Sequence, residues 1–166
     1  MLFGTRAAGW VGEAGRGWRL GRRRPARVQD ALAPVVSLPA GLDLGHLLTV
    51  AQEHFMRLQA AWDAGDTATL VALTTPQMLD DLHAARAAAD APAGRTDVVS
   101  LQAQLLGFDE VAAGWLAAIE FSGTLREAHE PAAPVAFREL WLLLREHAAE
   151  NATTPCWRLA RQQALF

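Results

Sequence analysis

The hydrophobic pattern changes period halfway along the chain. Leu47, Leu48, Ala51, Phe55, Leu58 and Trp62 recur at spacings of three and four, which places them on one helical face. That helix ends at Ala64-Gly65, where glycine takes the left-handed conformation that closes a helix. Asp66 then caps a second, short helix, Thr67 to about Leu73, by accepting from its first amides. Trp62 is the last inward position before this corner, and the expectation is that it plugs the space between helices and sheet. Thr75 caps a third helix and Pro76 opens it, at a position where the missing amide proton costs nothing. This helix runs to about Ala89 with Leu79, Leu82 and Met78 inward.

From residue 96 the period is two. Val99, Leu101, Ala103 and Leu105 alternate with Ser100, Gln102 and Gln104. Trp115, Ala117, Ile119, Phe121 and Leu125 alternate with Glu120, Ser122, Thr124 and Arg126. Both read as half-buried strands. "VAFRELWLLLRE" alternates and then turns continuously apolar, which predicts cover on both faces of its later part. "CWRLARQQAL" is a fourth strand. The connectors suit antiparallel hairpins, and Gly123 inside a strand predicts a bulge or a sharp curl. The fold class is α+β: three N-terminal helices packed on a curved four-stranded antiparallel sheet.

A curled sheet closed by helices encloses a conical cavity. Its expected lining is Phe55, Trp115, Ile119, Phe121, Phe137 and Trp141. An apolar lining of this kind suits a lipid tail or a partner's side chain better than a polar metabolite. The competing expectation is that the same side chains fill a solid core.

Residues 1–42 carry neither period. They are punctuated by glycine and proline and read as an arm and linker before a domain at 43–166. The net charge of −3 conceals an asymmetry. Residues 1–30 hold seven arginines and two acids, a formal +5, whereas the remainder holds eight arginines and sixteen acids, a formal −8. A basic arm on an acidic domain points to an anionic partner for the arm. Phe3, Trp10 and Trp18 share one face if the arm is helical. Its five glycines between residues 3 and 20, each costing about 1 kcal/mol relative to alanine, mean that it needs a surface to fold on. Arg16, Arg19, Arg22, Arg23, Arg24 and Arg27 supply the charge. Arginine beside tryptophan fits an anionic membrane interface and also fits nucleic acid. The alternative is a solvated leader.

The chemistry-bearing residues are sparse. Five histidines are scattered without metal-site spacing, so no metal or cofactor is expected. His54 and His83 are expected to be satisfied or exposed helical histidines. Cys156 is the lone cysteine, which excludes an intrachain disulfide. Glu120 and Glu139 are candidates for an acid inside the cavity, with an edge position or pairing to Arg126 or Arg138 as the plainer role. The absence of tyrosine removes one familiar oxyanion donor. No run reaches the roughly 18–20 apolar residues of a membrane span. Pro25, Asp30, Pro34 and Pro39 interrupt any signal-peptide core, so neither a transmembrane helix nor a signal peptide is expected within this chain.

The segments "FMRLQAAWDAGD", "LTTPQMLDDL", "TDVVSLQAQLLGF", "IEFSGTLRE", "FRELWLLL" and "WRLARQQAL" occur in an order that resembles the Tim-forty-four-like domain. That is the C-terminal domain of the peripheral subunit of the mitochondrial inner-membrane translocase, a cone fold of the nuclear-transport-factor-two-like class. The likeness covers about residues 46–165 and rests on the ordered set, since no single motif is specific. It implies a cone with a hydrophobic pocket, peripheral membrane attachment and adaptor work without catalysis. The expected location is peripheral on the cytoplasmic membrane, or cytoplasmic. Two departures limit the likeness: bacterial members often carry an apolar N-terminal segment that is absent here, and the region that binds translocase motor partners is largely missing. The expected function is therefore a non-enzymatic, membrane-associated adaptor or a domain binding an apolar ligand or a protein. A small isomerase or dehydratase of the same fold, and a ribosome- or nucleic-acid-associated protein using the arm, are the alternatives.

Overall fold

The computed structural model describes residues 38–88, 95–127, 133–147 and 156–165. The arm residues Phe3, Trp10, Arg16, Trp18, Arg19, Arg22, Arg23, Arg24 and Arg27 lie outside the described residues.

Three helices come first: α1 (Leu44–Ala64), α2 (Thr67–Leu73) and α3 (Pro76–Ala88). Asp43 starts α1 by accepting from the His46 amide at 2.7 Å. The face predicted from the three-four spacing is the buried one, with Leu47, Ala51, Phe55, Leu58 and Trp62 inside. Gly65 ends the helix at φ 68°. Its amide donates to the Trp62 carbonyl and the Asp66 amide donates to that of Ala61, which satisfies two carbonyls of the last turn. The carboxylate of Asp66 accepts from both the amide and the hydroxyl of Thr69, at 3.1 and 2.6 Å. One residue thus closes α1 and opens α2, and the chain reverses within three positions.

The Thr69 hydroxyl first, and its amide second, hold the Asp66 carboxyl below the usual carboxylate range. Its stabilising contribution is present above the ordinary carboxylate pKa and is lost as pH falls through the lowered value. Asp66→Ala is expected to lower the melting temperature, and Asp66→Asn to retain much of it, because the amide oxygen still accepts. Equal melting temperatures for the alanine variant and the parent would remove the cap from this corner.

Four strands follow: β1 (Thr96–Val111), β2 (Gly114–Glu127), β3 (Val135–Glu146) and β4 (Trp157–Ala164). They form one antiparallel sheet in sequence order. The fold is α+β. Ala117, Ile119 and Phe121 on β2, Phe137, Trp141 and Leu143 on β3, and Leu159 on β4 are buried. The junction of α2 and α3 lies beside β4, where Thr74 bridges Leu159 and the Thr75 amide donates to the Leu159 carbonyl at 2.9 Å. That bond occupies backbone that would otherwise be an open sheet edge.

Two strand expectations change. Val99 was expected inward, but the register shifts between Val98 and Ser100, so Val99 is the extra residue and is exposed. The bulge expected at Gly123 is therefore carried by the neighbouring strand, two residues before its partner Leu101. A Cβ at Gly123 would meet the Ser100 carbonyl and the Phe137 ring, so the glycine lets β1 close in where it kinks. The second difference is on β3. Leu140, Leu142 and Leu144 are half-buried. The apolar run thus has a packed inner face and a partly open outer one.

Candidate functional site

Strand alternation and one helical face bring five of the six candidate lining residues together. Phe55 of α1 stands over the middle of the sheet. Its ring centroid is 5.0 Å from those of Phe121 and Trp141 and 5.5 Å from that of Phe137. Phe121 meets Trp141 edge-on at 5.0 Å. Ile119 is fully buried beside them. These separations are those of aromatic rings in direct contact, so the space assigned to a ligand is filled by the side chains expected to line it.

Trp115 is apart from this cluster. It lies four residues from Ile119 along β2, about 13 Å at the usual rise, and it stacks on Phe108 at 5.5 Å. His147 meets it edge-on at 6.1 Å. With Pro39, Leu42 and Arg145, the Trp115 indole borders a surface depression of about 270 Å³ where residue 38 enters the fold. A second depression, of about 430 Å³, lies along β1 and β2. Its polar lining is Gln52, Gln102, Gln104, Glu120 and Ser122. None of the five core residues borders either depression.

The unusual group in the core is Glu139. It follows Phe137 and precedes Trp141 on the inward side of β3, and only 2% of it is exposed. Its Oε2 accepts from the Trp141 indole N–H at 2.9 Å and from the Gln162 amide at 3.1 Å. Burial pushes its carboxyl up to about 8, and the two hydrogen bonds only partly offset this. Near neutral pH the group therefore holds a proton, and Oε2 serves as the acceptor for both donors. The pairing with Arg126 or Arg138 anticipated for the two acids applies to Glu120 alone. Arg138 Nη2 donates to Glu120 Oε2 at 2.8 Å on the outer face.

His54 is buried and donates from Nε2 to the Leu73 carbonyl at 2.9 Å, tying α1 to α2. Burial holds its pKa below the usual histidine value. His83 is exposed. Among the described residues no group of three His, Cys, Asp or Glu could hold a metal ion.

Sequence reasoning missed Arg86. Its guanidinium lies 4.9 Å from the Trp62 ring centroid and donates to the Trp62 carbonyl at 3.0 Å. Trp62 is therefore buried at the α1–α3 corner beneath a cation, whereas the contact between helix and central sheet belongs to Phe55. An arginine in the last turn of a predicted helix was the available signal, but nothing local assigns it a partner 24 residues away. No described helix is long and apolar enough to cross a membrane. No protein-family model matches this chain, and no curated protein sequence matches it.

Proposed function

We propose that the chain is a non-enzymatic adaptor: a folded domain of the Tim-forty-four-like kind, held at an anionic membrane surface by its basic arm and presenting its exterior to a protein partner. The observation that carries this reading is the filled interior. Phe55, Phe121, Phe137 and Trp141 spend their surface on one another, so recognition falls to the outside of the domain and to the arm. The ordered likeness of residues 46–165 to that domain supports the same role, as does the +5 charge of residues 1–30 beside a −8 remainder.

The membrane contact is weak by construction. Each arginine near an anionic surface contributes at most about 1 kcal/mol, and ordering a glycine-rich backbone costs on the order of 1 kcal/mol per residue. Binding is therefore reversible and salt-sensitive, and the acidic domain is repelled from the same surface. Flotation with vesicles rich in anionic lipid is expected to carry the full chain at low salt and release it at high salt. A chain starting near Asp43 is expected to stay in solution. Equal flotation of the two, or none by the full chain, would take the arm out of the function.

Glu139 favours a second reading, a small enzyme of the same architecture with this carboxylic acid as proton donor. Perturbed buried acids cluster at active sites, although structural ones exist. That reading requires a small molecule to reach the carboxyl. Saturation of the protein with the candidate substrate would then shift the carbon resonance of Glu139, and an adaptor would leave it unchanged.

A further inference from the structure

One end of the sheet is built differently from the core. Pairing there gives the row Glu110–Trp115–Arg145–Trp157, so an arginine stands between two tryptophans of the neighbouring strands. Trp157 is buried, whereas Trp115 and Arg145 are half-buried and border the depression of about 270 Å³ where the chain enters the fold. Both acids at this end face other partners. Glu110 stands 3.6 Å from the His147 imidazole, and Glu146 stands 4.0 Å from Arg158. Among the described residues, nothing holds the Arg145 guanidinium by a hydrogen bond, an ion pair or a ring contact. A guanidinium carries five donors and cannot shed its charge, so a half-buried one without an acceptor is suited to an anion. The walls around it are fixed. Pro39 to Leu42 form a turn closed by the Leu42 amide on the Pro39 carbonyl at 3.1 Å, with Gly41 at φ 89° as such a turn requires. Opposite, the His147 amide donates to the Ala113 carbonyl at 3.2 Å, and Trp115 is braced by Phe108.

We propose that this depression binds a small aromatic carboxylate, with the carboxylate on the Arg145 guanidinium and the ring against the Trp115 indole. The planar fork of arginine matches a carboxylate through two parallel hydrogen bonds. The indole offers an aromatic ring a flat apolar surface. The charge points to a monoanion. His147 and Arg158 each have an acid beside them and Arg145 has none, so one negative charge is the complement. A phosphate dianion would meet Glu146 at the same wall with a single guanidinium to hold it. The size points to about one ring, since ligand sites run from about 300 Å³ upward. A long acyl tail finds no room, because Phe55, Phe121, Phe137 and Trp141 fill the interior and none of them borders the depression. The site thus goes beyond the adaptor role and does not depend on the arm.

The test uses the full chain, which keeps the Pro39–Leu42 wall. Isothermal titration with phenylacetate is expected to show saturable binding at one site in the millimolar range. The neutral phenylacetamide is expected to bind about tenfold more weakly or less. Arg145→Gln is expected to weaken phenylacetate by about tenfold or more, and Trp115→Leu by about threefold or more. Arg161→Gln removes the same charge from the exposed, outward side of β4 and is expected to stay within about twofold of the parent. Thermal unfolding checks that each variant folds. In the parent itself, nuclear magnetic resonance decides without any variant: phenylacetate is expected to move the Arg145 Nε–H and Trp115 indole N–H resonances and to leave that of the core residue Trp141 in place. Absence of saturable binding overturns the proposal. So does equal affinity for phenylacetate and its amide, an Arg145→Gln variant that binds like the parent, or a shift at Trp141 in place of Trp115.

Discussion

Phe55→Ala is expected to lower the unfolding free energy by about 3–5 kcal/mol. The side chain is fully buried and its ring touches three others, at 5.0, 5.0 and 5.5 Å. Its removal loses the transfer energy of a phenyl group and leaves a void, because Phe121 and Trp141 are fixed by the sheet and cannot both collapse inward. Trp62→Ala removes a larger group and is still expected to cost less. Arg86 lies over the indole, and its flexible side chain can fold into part of the space. Urea denaturation of the two variants measures both values. The comparison also bears on function. A phenylalanine lining an open pocket would be removed at small cost, and its loss would alter uptake of an apolar dye. A midpoint unchanged by Phe55→Ala, with new or altered dye binding, would return the interior to a ligand and undo the adaptor reading.

The helical half was legible because its signals are local. The Gly65 turn, the Asp66 cap and the Pro76 start each act within four residues, and the chain follows them. The strands were legible as strands, but their faces less so. One extra residue at Val99 exposes a position that strict alternation puts inside, and no residue type announces that shift. The site was less legible again. Alternation puts Trp115 and Phe121 on the same side of β2, yet says nothing about which stretch of a 14-residue strand the helix covers. Glu139 shows the limit most plainly. "FRELW" places it between two core aromatics, but the general preference of glutamate for solvent made an edge position the expectation. What keeps it inside is an indole two residues on and an amide 23 residues away on β4, and the second partner cannot be read before the strands are paired.

Stability is expected to fall as pH rises from about 5 to about 8, by on the order of 3 kcal/mol. The sign follows from Glu139. Its carboxyl titrates at about 8 in the folded protein against a usual value of 4.5, so the folded state holds a proton that the unfolded chain has released. That contribution is complete below the unfolded pKa and is lost as pH rises through the folded one. His54 runs the other way. Burial lowers its pKa, so its contribution fades as pH falls, and it partly masks the slope on the acid side. Comparison with Glu139→Gln cancels the His54 effect, since both proteins contain it. Glutamine keeps an oxygen for the Trp141 and Gln162 donors and carries no titrating proton. The variant is expected to equal the parent near pH 4 and exceed it near pH 8, with the difference opening across the window between. Glu139→Ala instead strands both donors in the core and leaves a void, so it is expected to be weaker at every pH. Thermal unfolding of the three proteins at matched ionic strength is the measurement. A constant difference between parent and Glu139→Gln across the range would mean that Glu139 is ionised in the fold, and its place among the core aromatics would then need a cation that no described residue supplies within hydrogen-bond reach.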